Sequence, residues 1–169
     1  SVALADTGTF VRTRGDLALV GRTLLDVSVP DAPEVVSALE LPQSLVVPRD
    51  AAIGEGWLVI ASSAGVGVYD IADPTQPVLV GTWGASGISG VDVKGDVIAV
   101  SHNQGVTILR RATSGDPDVL ATQMFSGGAT DVQFNQQYLY AAAQGVLWTF
   151  DTTDPAAPVQ ADSLPILGT

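Results

Sequence analysis

Apolar and polar positions in this chain form short runs, with no long amphipathic stretch. Segments of four to seven residues rich in Val, Ile, Leu, Tyr and Trp are separated by clusters of Gly, Pro, Asp and Ser. Runs of this kind, bounded by turn-forming residues, are typical of β-strands. No helical periodicity extends beyond a turn or two. The pattern therefore predicts an all-β chain.

The strand pattern repeats with a period of about 41 residues. One anchor is a strand–turn–strand segment whose turn falls at positions 15, 56, 95 and 136. The second anchor is an apolar or aromatic residue and an Asp, followed by a Pro-containing turn. It occurs at Asp26, Asp70 and Asp151, and in degenerate form at Arg110. Two anchors that recur in the same order indicate four copies of one unit.

The second copy displays every strand of that unit. We predict its strands at Asp50–Ile53, Trp57–Ser62, Gly67–Asp70 and Val78–Trp83. Glycines supply the positive φ of the tight hairpins, and the Asp-Pro-x-x-Pro segment interrupts the hydrogen-bond ladder. Four short antiparallel strands in a repeat of this length are typical of a β-propeller blade. The alternatives are a β-solenoid, whose rungs are usually shorter, and a sandwich, which would not repeat two anchors in register.

The chain is thus predicted to be a single all-β propeller unit of four four-stranded antiparallel blades. Blade 1 is expected at 10–48, blade 2 at 49–89, blade 3 at 90–129 and blade 4 at 130–169, while residues 1–9 resemble an outer strand of a preceding blade or a latch. The blades could form a closed small ring, a portion of a larger propeller, or a half-ring that dimerises. Because such blades generally belong to larger rings, the portion of a larger propeller is favoured.

Composition excludes several classes of function. Asp and Glu number 18 against 7 Lys and Arg, and the net charge of −11 argues against nucleic-acid binding, because it repels phosphate. The absence of Cys excludes disulfides, thiolate metal sites and a cysteine nucleophile. Every apolar run falls far short of the roughly 20 residues that span a bilayer, so the chain is not expected to be membrane-spanning.

Two segments of the second copy carry a family resemblance. Residues 57–62 (Trp-Leu-Val-Ile-Ala-Ser) and 67–81 (Gly-Val-Tyr-Asp-Ile-Ala-Asp-Pro-Thr-Gln-Pro-Val-Leu-Val-Gly) are similar to the LVIVD-repeat family of bacterial and archaeal β-propeller proteins. Residues 49–53 fit the same repeat, whereas the third copy matches it poorly. The resemblance implies an extracellular, periplasmic or cell-surface protein, often part of a larger one. It implies no defined activity.

Three carboxylates are the candidate metal ligands. Asp50, Asp92 and Asp131 lie near the start of the predicted inner strands of blades 2, 3 and 4, and the equivalent position in blade 1 is near Thr9. If the inner strands line the channel, these oxygens could converge at one rim and hold Ca²⁺, which prefers hard oxygen ligands. The alternative is that each carboxylate binds backbone amides or pairs with a neighbour such as Arg49.

The remaining polar groups offer less for catalysis. Carboxylate pairs recur at the Pro-containing turn, where repetition favours a structural role over glycoside hydrolysis: Asp26/Asp31, Asp70/Asp73 and Asp151/Asp154. His102, the single histidine, is expected in an exposed loop, and no nucleophile elbow is present for it to serve. The strand aromatic residues are expected to pack between blades: Trp57, Trp83, Trp148, Tyr69, Tyr138 and Tyr140.

These observations predict a non-enzymatic extracellular or cell-surface propeller module that serves as a protein-interaction scaffold within a larger protein or assembly. Its partners would be other protein subunits or the remaining blades of a larger propeller. The alternative is a ligand-binding propeller with carbohydrate or Ca²⁺ at the channel or loop face. A hydrolase is less favoured, because only the Asp series and one His supply reactive groups.

Overall fold

Four antiparallel sheets, each of four strands, make up the computed structural model, which describes residues 10–166. The outer strand or latch predicted at 1–9 lies outside the described residues, as do residues 167–169 of blade 4. Strands neighbour one another in chain order within each sheet, which is the meander of a propeller blade. The predicted all-β fold of four four-stranded antiparallel blades is therefore confirmed.

The first two blades are connected through a short 3-10 helix, Gln43–Leu45. Blade 1 consists of β1 (Val11–Arg14), β2 (Leu17–Val20), β3 (Thr23–Asp26) and β4 (Glu34–Ala38). Blade 2 consists of β5 (Pro48–Ile53), β6 (Trp57–Ser62), β7 (Gly65–Asp70) and β8 (Val78–Gly84). The strands of blade 2 match the predicted ones to within two residues at every end, although β5 begins one residue before the predicted start of the blade.

The third and fourth blades repeat the same arrangement. Blade 3 consists of β9 (Gly90–Lys94), β10 (Val97–His102), β11 (Gly105–Arg110) and β12 (Asp118–Met124). Blade 4 consists of β13 (Asp131–Asn135), β14 (Tyr138–Ala143), β15 (Val146–Asp151) and β16 (Val159–Pro165). Every blade has a register shift at the equivalent place between its third and fourth strands: Leu24/Leu25, Val68/Tyr69, Ile108/Leu109 and Thr149/Phe150. Such a bulge increases the local twist of the outer strand.

The first hairpin of blade 2 corrects one of the sequence anchors. The amide of Gly54 donates to the carbonyl of Trp57 at 2.8 Å, so the loop consists of Glu55 and Gly56. Glu55, and not Gly56, is therefore the residue equivalent to Gly95 of blade 3. The positive φ of this hairpin, 70°, falls on the second loop residue in blade 2.

The core lies between successive blades. Three clusters of buried apolar side chains separate blade 1 from blade 2, blade 2 from blade 3, and blade 3 from blade 4. Strands β6 and β10 are buried at every position, because each side of their sheets faces another blade. The inner strands of successive blades also contact one another, and no comparable contact joins β13 to β1 within residues 10–166. The described blades therefore form an open arc.

Each blade has a trailing face toward the next blade and a leading face toward the previous one. The trailing face of blade 2 is fully buried and consists of Val59, Ala61, Val66 and Val68. The register places Tyr140, Ala142, Leu147 and Thr149 on the trailing face of blade 4, where all four are only half-buried. Within the described range, no helix has the length and apolarity to cross a bilayer.

Candidate functional site

A central cleft of about 440 Å³ lies where the inner strands of all four blades approach one another. Its polar lining consists of Arg12, Thr13, Asp50, Asp92, Asp131 and Gln133. The structure thus brings the three sequence-predicted metal ligands to one surface, and it adds Arg12, which the sequence analysis did not single out.

The three carboxylates do not occupy equivalent positions. Asp50 and Asp131 pair with Ala61 and Ala142 at one register position, whereas Asp92 pairs with Ala99, two residues further along its strand. Gly90 occupies the first position in blade 3. A Cβ at Gly90 would lie 2.7 Å from Oδ1 and 3.3 Å from the Cα of Asp131, so a side chain there would require Asp131 to shift. By the same register, Phe10 rather than Thr9 is the blade 1 equivalent of Asp50.

Asp50 connects three blades. Its Oδ1 accepts hydrogen bonds from the amide of Ala51 at 2.8 Å and from the guanidinium of Arg12, with which it forms an ion pair. Its Oδ2 accepts from the amide of Val91 on β9 at 3.0 Å. Arg12 also donates through Nε to the carbonyl of Ala51 at 3.0 Å. The charged partner is therefore Arg12 of blade 1, and the suggested pairing with Arg49 is wrong.

Asp92 makes the same kind of connection one blade further on. Its Oδ1 accepts from the amide of Val93 at 2.8 Å, and its Oδ2 accepts from the amide of Phe134 on β13 at 2.7 Å. Burial raises the pKa of Asp92 above its ordinary value, because the desolvated carboxylate loses hydration, although these two hydrogen bonds oppose the shift. Both oxygens of Asp92 thus hold main-chain amides.

Asp131 makes only the hydrogen bond to the next amide of its own strand among the described contacts. Its Oδ1 accepts from the amide of Val132 at 2.9 Å, and the side chain lies at the exposed end of the arc. No group of three or more metal-ligating side chains in residues 10–166 has the geometry to hold a metal ion. Binding of backbone amides, which the sequence analysis gave as the alternative to Ca²⁺ coordination, is what the described carboxylates do.

His102 differs from its predicted exposed position. It is the last residue of β10 and only 4% exposed. Its Nδ1 accepts from the amide of Gln104 at 3.2 Å, so Nε2 carries the proton and donates to Thr107 Oγ1 at 2.9 Å. Burial lowers the pKa of His102 below its ordinary 6.5. His102 lies within β10 and not in a loop. The ring of Trp83 packs edge-on against the imidazole, with 6.1 Å between the two ring centroids.

The carboxylates of the Pro-containing turns are structural. Asp26, Asp70 and Asp151 each accept a hydrogen bond at 2.8 Å from the amide two residues later. Hydrogen bonds from Ser28 and Thr153 hold the pKa values of Asp26 and Asp151 below the ordinary range. These bonds close the turn after the third strand of blades 1, 2 and 4, as the structural interpretation of this series predicts.

The basic pair of blade 3 replaces this turn carboxylate. Arg110 forms an ion pair with Asp96 at 3.3 Å, and Arg111 lies over the ring of Trp57 at 5.0 Å. The same loop carries Asp116, which accepts from the amide of Thr82 on β8 at 2.8 Å. The degenerate copy thus attaches its loop to the preceding blade.

Comparison with solved structures supports the propeller architecture. The chain is similar to the computationally designed Ika8 protein, with 17% identity, a TM-score of 0.67, and coverage of 85% of this chain and 45% of that one. It is also similar to PorZ of Porphyromonas gingivalis, described as an essential bacterial surface component of the type-IX secretion system, with 13% identity, a TM-score of 0.59, and coverage of 95% of this chain and 21% of PorZ. Identities this low concern the fold alone.

The chain spans less than half the length of either solved structure. No family model matches it, and no curated protein matches it.

Proposed function

We propose that this chain is a non-enzymatic β-propeller module that serves as an interaction scaffold within a larger protein or assembly. The observation that carries the proposal is the trailing face of blade 4. Its side chains are half-buried, whereas Val59, Ala61, Val66 and Val68 on the same face of blade 2 are at most 1% exposed. This face is built like a blade interface, and no blade among residues 10–166 covers it, so it is suited to another protein element.

The non-enzymatic part of the proposal is supported by how the central cleft uses its charged groups. Asp50 and Asp92 accept main-chain amides with both oxygens, and His102 is held by Gln104 and Thr107. Every buried side-chain nitrogen or oxygen in the described residues has a hydrogen-bond partner. Groups engaged in this way hold blades together and are poorly placed to transfer protons to a substrate.

The proposal includes membership of the LVIVD-repeat family and an extracellular, periplasmic or cell-surface location. Its supports are the sequence resemblance at 57–62 and 67–81, together with the fold likeness to PorZ, itself described as a bacterial surface component.

A thiol-protection experiment in the native setting tests the scaffold role. The chain has no Cys, so a thiol introduced by Tyr140→Cys is unique and reports on the trailing face of blade 4. The matched control is Val78→Cys on the outer strand of blade 2, where Val78 is 59% exposed. We expect residue 140 to label at least about 10-fold more slowly than residue 78 in the producing cells, because burial blocks the reagent. Equal labelling rates there would overturn the proposal.

Carbohydrate binding is a second candidate function, favoured by a cleft at the loop face. This cleft of about 380 Å³ lies between blades 2 and 3 and is lined by the Trp83 ring and the amides of Asn103 and Gln104. An aromatic platform beside amide groups is suited to stacking and hydrogen bonding of a sugar ring. A glycan array tests it: binding that Trp83→Ala abolishes supports the site, and an array without binding removes the candidate.

A further inference from the structure

The two ends of the arc carry opposite halves of the same interface. We propose that the trailing face of blade 4 docks the leading face of blade 1 of a second copy of this chain, so that two copies close head to tail into one ring. The inference rests on the proposed function, because it names the partner of the scaffold's open face.

The apolar part of the interface is already present on blade 4. Tyr140, Ala142 and Leu147 stand where blade 2 has Val59, Ala61 and Val66, which pack on blade 3 in one buried cluster. A cleft beside Tyr140 and Leu147 extends to Asp131 and Gln133. The face that packs on the following blade in blades 1, 2 and 3 therefore recurs in blade 4, where no blade within residues 10–166 covers it.

The polar part of the interface is present as well. Asp50 occupies the same register position as Asp131, and its Oδ2 reaches forward to the amide of Val91 in the next blade. The register places Val11 of blade 1 at the position of Val91. Docking of blade 1 would thus offer the Val11 amide to Asp131 in the way that blade 3 offers its amide to Asp50.

The leading face of blade 1 has a matching uncovered area. Val11 is 57% exposed, whereas its equivalents Ala51, Val91 and Val132 are 0%, 4% and 5% exposed against their preceding blades. Ala18 and Leu25, which stand where blade 3 has Ile98 and Leu109, are already buried. The area left for a second copy is therefore β1 together with the half-buried Val20 of β2. β1 is the strand that the carboxylate of a preceding blade would contact.

A second copy supplies both missing halves at once. A contact between two different faces is heterologous, and it closes when the rotation per subunit completes a ring. The designed protein Ika8 is nearly twice as long as this chain, since 85% of the chain covers 45% of it. Two copies of the four-blade arc therefore have about the length of a related structure. A closed ring also removes the open blade faces at both ends of the arc.

The mass of the purified chain in solution is the first test. Light scattering on a sizing column should give twice the 17.3 kDa of one copy, with dissociation on dilution. Leu147→Asp should raise the dissociation constant at least about 100-fold, because an unpaired charge would be buried at both contacts of the ring. Val78→Asp, on the exposed β8, is the matched control and should leave the mass unchanged. A cooperative melting transition in each variant would show that both still fold, although the dimeric variant should melt at the higher temperature.

Cross-linking with a short bis-maleimide distinguishes head-to-tail contact from other dimers. We expect a cross-linked dimer in a mixture of Val11→Cys and Tyr140→Cys chains, and no dimer from either chain alone, because the proposed contact joins different faces. A dimer formed by Tyr140→Cys alone would overturn the proposal, since it requires two blade 4 faces to meet.

The two proposals fail separately. A purified chain that remains monomeric up to about 100 μM overturns the second-copy inference. A dissociation constant above that concentration would be too weak for a specific interface. If residue 140 is nevertheless protected in the producing cells, the scaffold role stands with a different partner. A monomer whose residue 140 labels freely in both settings overturns both.

Discussion

Gln136 has a left-handed backbone conformation that is provided by glycine at the equivalent positions of blades 1 and 3. Its φ of 54° lies in the left-handed region, where Gly15 and Gly95 have φ of 55° and 59° at the same hairpin position of blades 1 and 3. A side chain with a Cβ is disfavoured there, because it crowds the following carbonyl. Blade 4 is therefore less well matched to its first turn than blades 1 and 3.

We expect Gln136→Gly to stabilise the chain by about 0.5–1 kcal/mol, a net of relieved strain and the extra entropy of glycine in the unfolded state. Urea denaturation with an unchanged m-value measures it. The matched change is Gly95→Gln, which should destabilise by a similar amount. A Cβ at Gly95 has no neighbour within 4 Å, so only the backbone contributes. A loss of stability in Gln136→Gly would contradict the argument.

His102 makes stability depend on pH. Its folded-state pKa is lowered by burial, so the unfolded chain binds more protons as the pH drops below 6.5. The contribution of His102 to stability should therefore be full above the unfolded pKa of 6.5 and be lost as the pH falls below it toward the lowered folded-state pKa. His102→Gln should flatten this part of the profile in pH-dependent urea denaturation. The comparison of the two chains isolates the histidine, because the raised pKa of Asp92 acts in the opposite direction in both.

At the scale of elements, the inner strands are joined by side-chain carboxylates and main-chain amides. Asp50 connects β5 to β9 and also holds Arg12 of β1, while Asp92 connects β9 to β13. These connections supplement the apolar clusters between the same blades. Because each hydrogen bond joins one particular pair of residues, the bonds also set the position of each inner strand relative to the next along the strand direction.

Asp50→Ala should destabilise the chain by about 2–4 kcal/mol, since it removes the partly exposed ion pair with Arg12 and leaves the buried Val91 amide without its acceptor. Asp131→Ala is the matched control: it has the same register position but one hydrogen bond, to Val132. Its loss should be about 1 kcal/mol or less in dilute monomeric chain. Chemical denaturation of both variants checks the difference, and equal losses would show that the cross-blade bonds add nothing.

The sequence predicts where the strands lie better than it predicts which residues occupy equivalent positions in different blades. Alternation and turn residues locate the strands of blade 2 to within two residues, because both are local properties. Alignment of the three carboxylates by the starts of their strands is wrong, because the inner strands begin at different distances from the first hairpin. Counted back from Trp57, Val97 and Tyr138, Asp50 and Asp131 lie seven residues upstream, and Asp92 lies five. That count also places Arg12 at the Asp92 position of blade 1. Its pairing with Asp50 depends on two blades being adjacent, which is a tertiary property.

At the scale of the whole molecule, charge is unevenly balanced. The net charge of −11 is offset locally by ion pairs such as Arg12–Asp50 and Arg110–Asp96. Self-repulsion of a chain with this balance disfavours the compact state, and dissolved salt screens it over about 10 Å at 0.1 M. The ion pairs lose some strength under the same conditions.

We expect sodium chloride to raise the melting temperature by about 2–4 °C between 0.05 and 0.5 M, roughly 1 kcal/mol for a chain of this size. Scanning calorimetry at fixed protein concentration measures it. The Leu147→Asp chain provides the control, since a similar rise there would show that screening acts within one copy. A fall in melting temperature would mean that the ion pairs outweigh the repulsion.

The connections between inner strands place the acceptor on a side chain and the donor on the main chain. Every residue except proline offers that donor, so the downstream blade can change almost any side chain without breaking the connection. Only proline at positions such as 91 or 134 would remove it. Duplication of such a blade therefore yields copies whose inner strands can change side chains at the donor positions and still attach to the preceding blade.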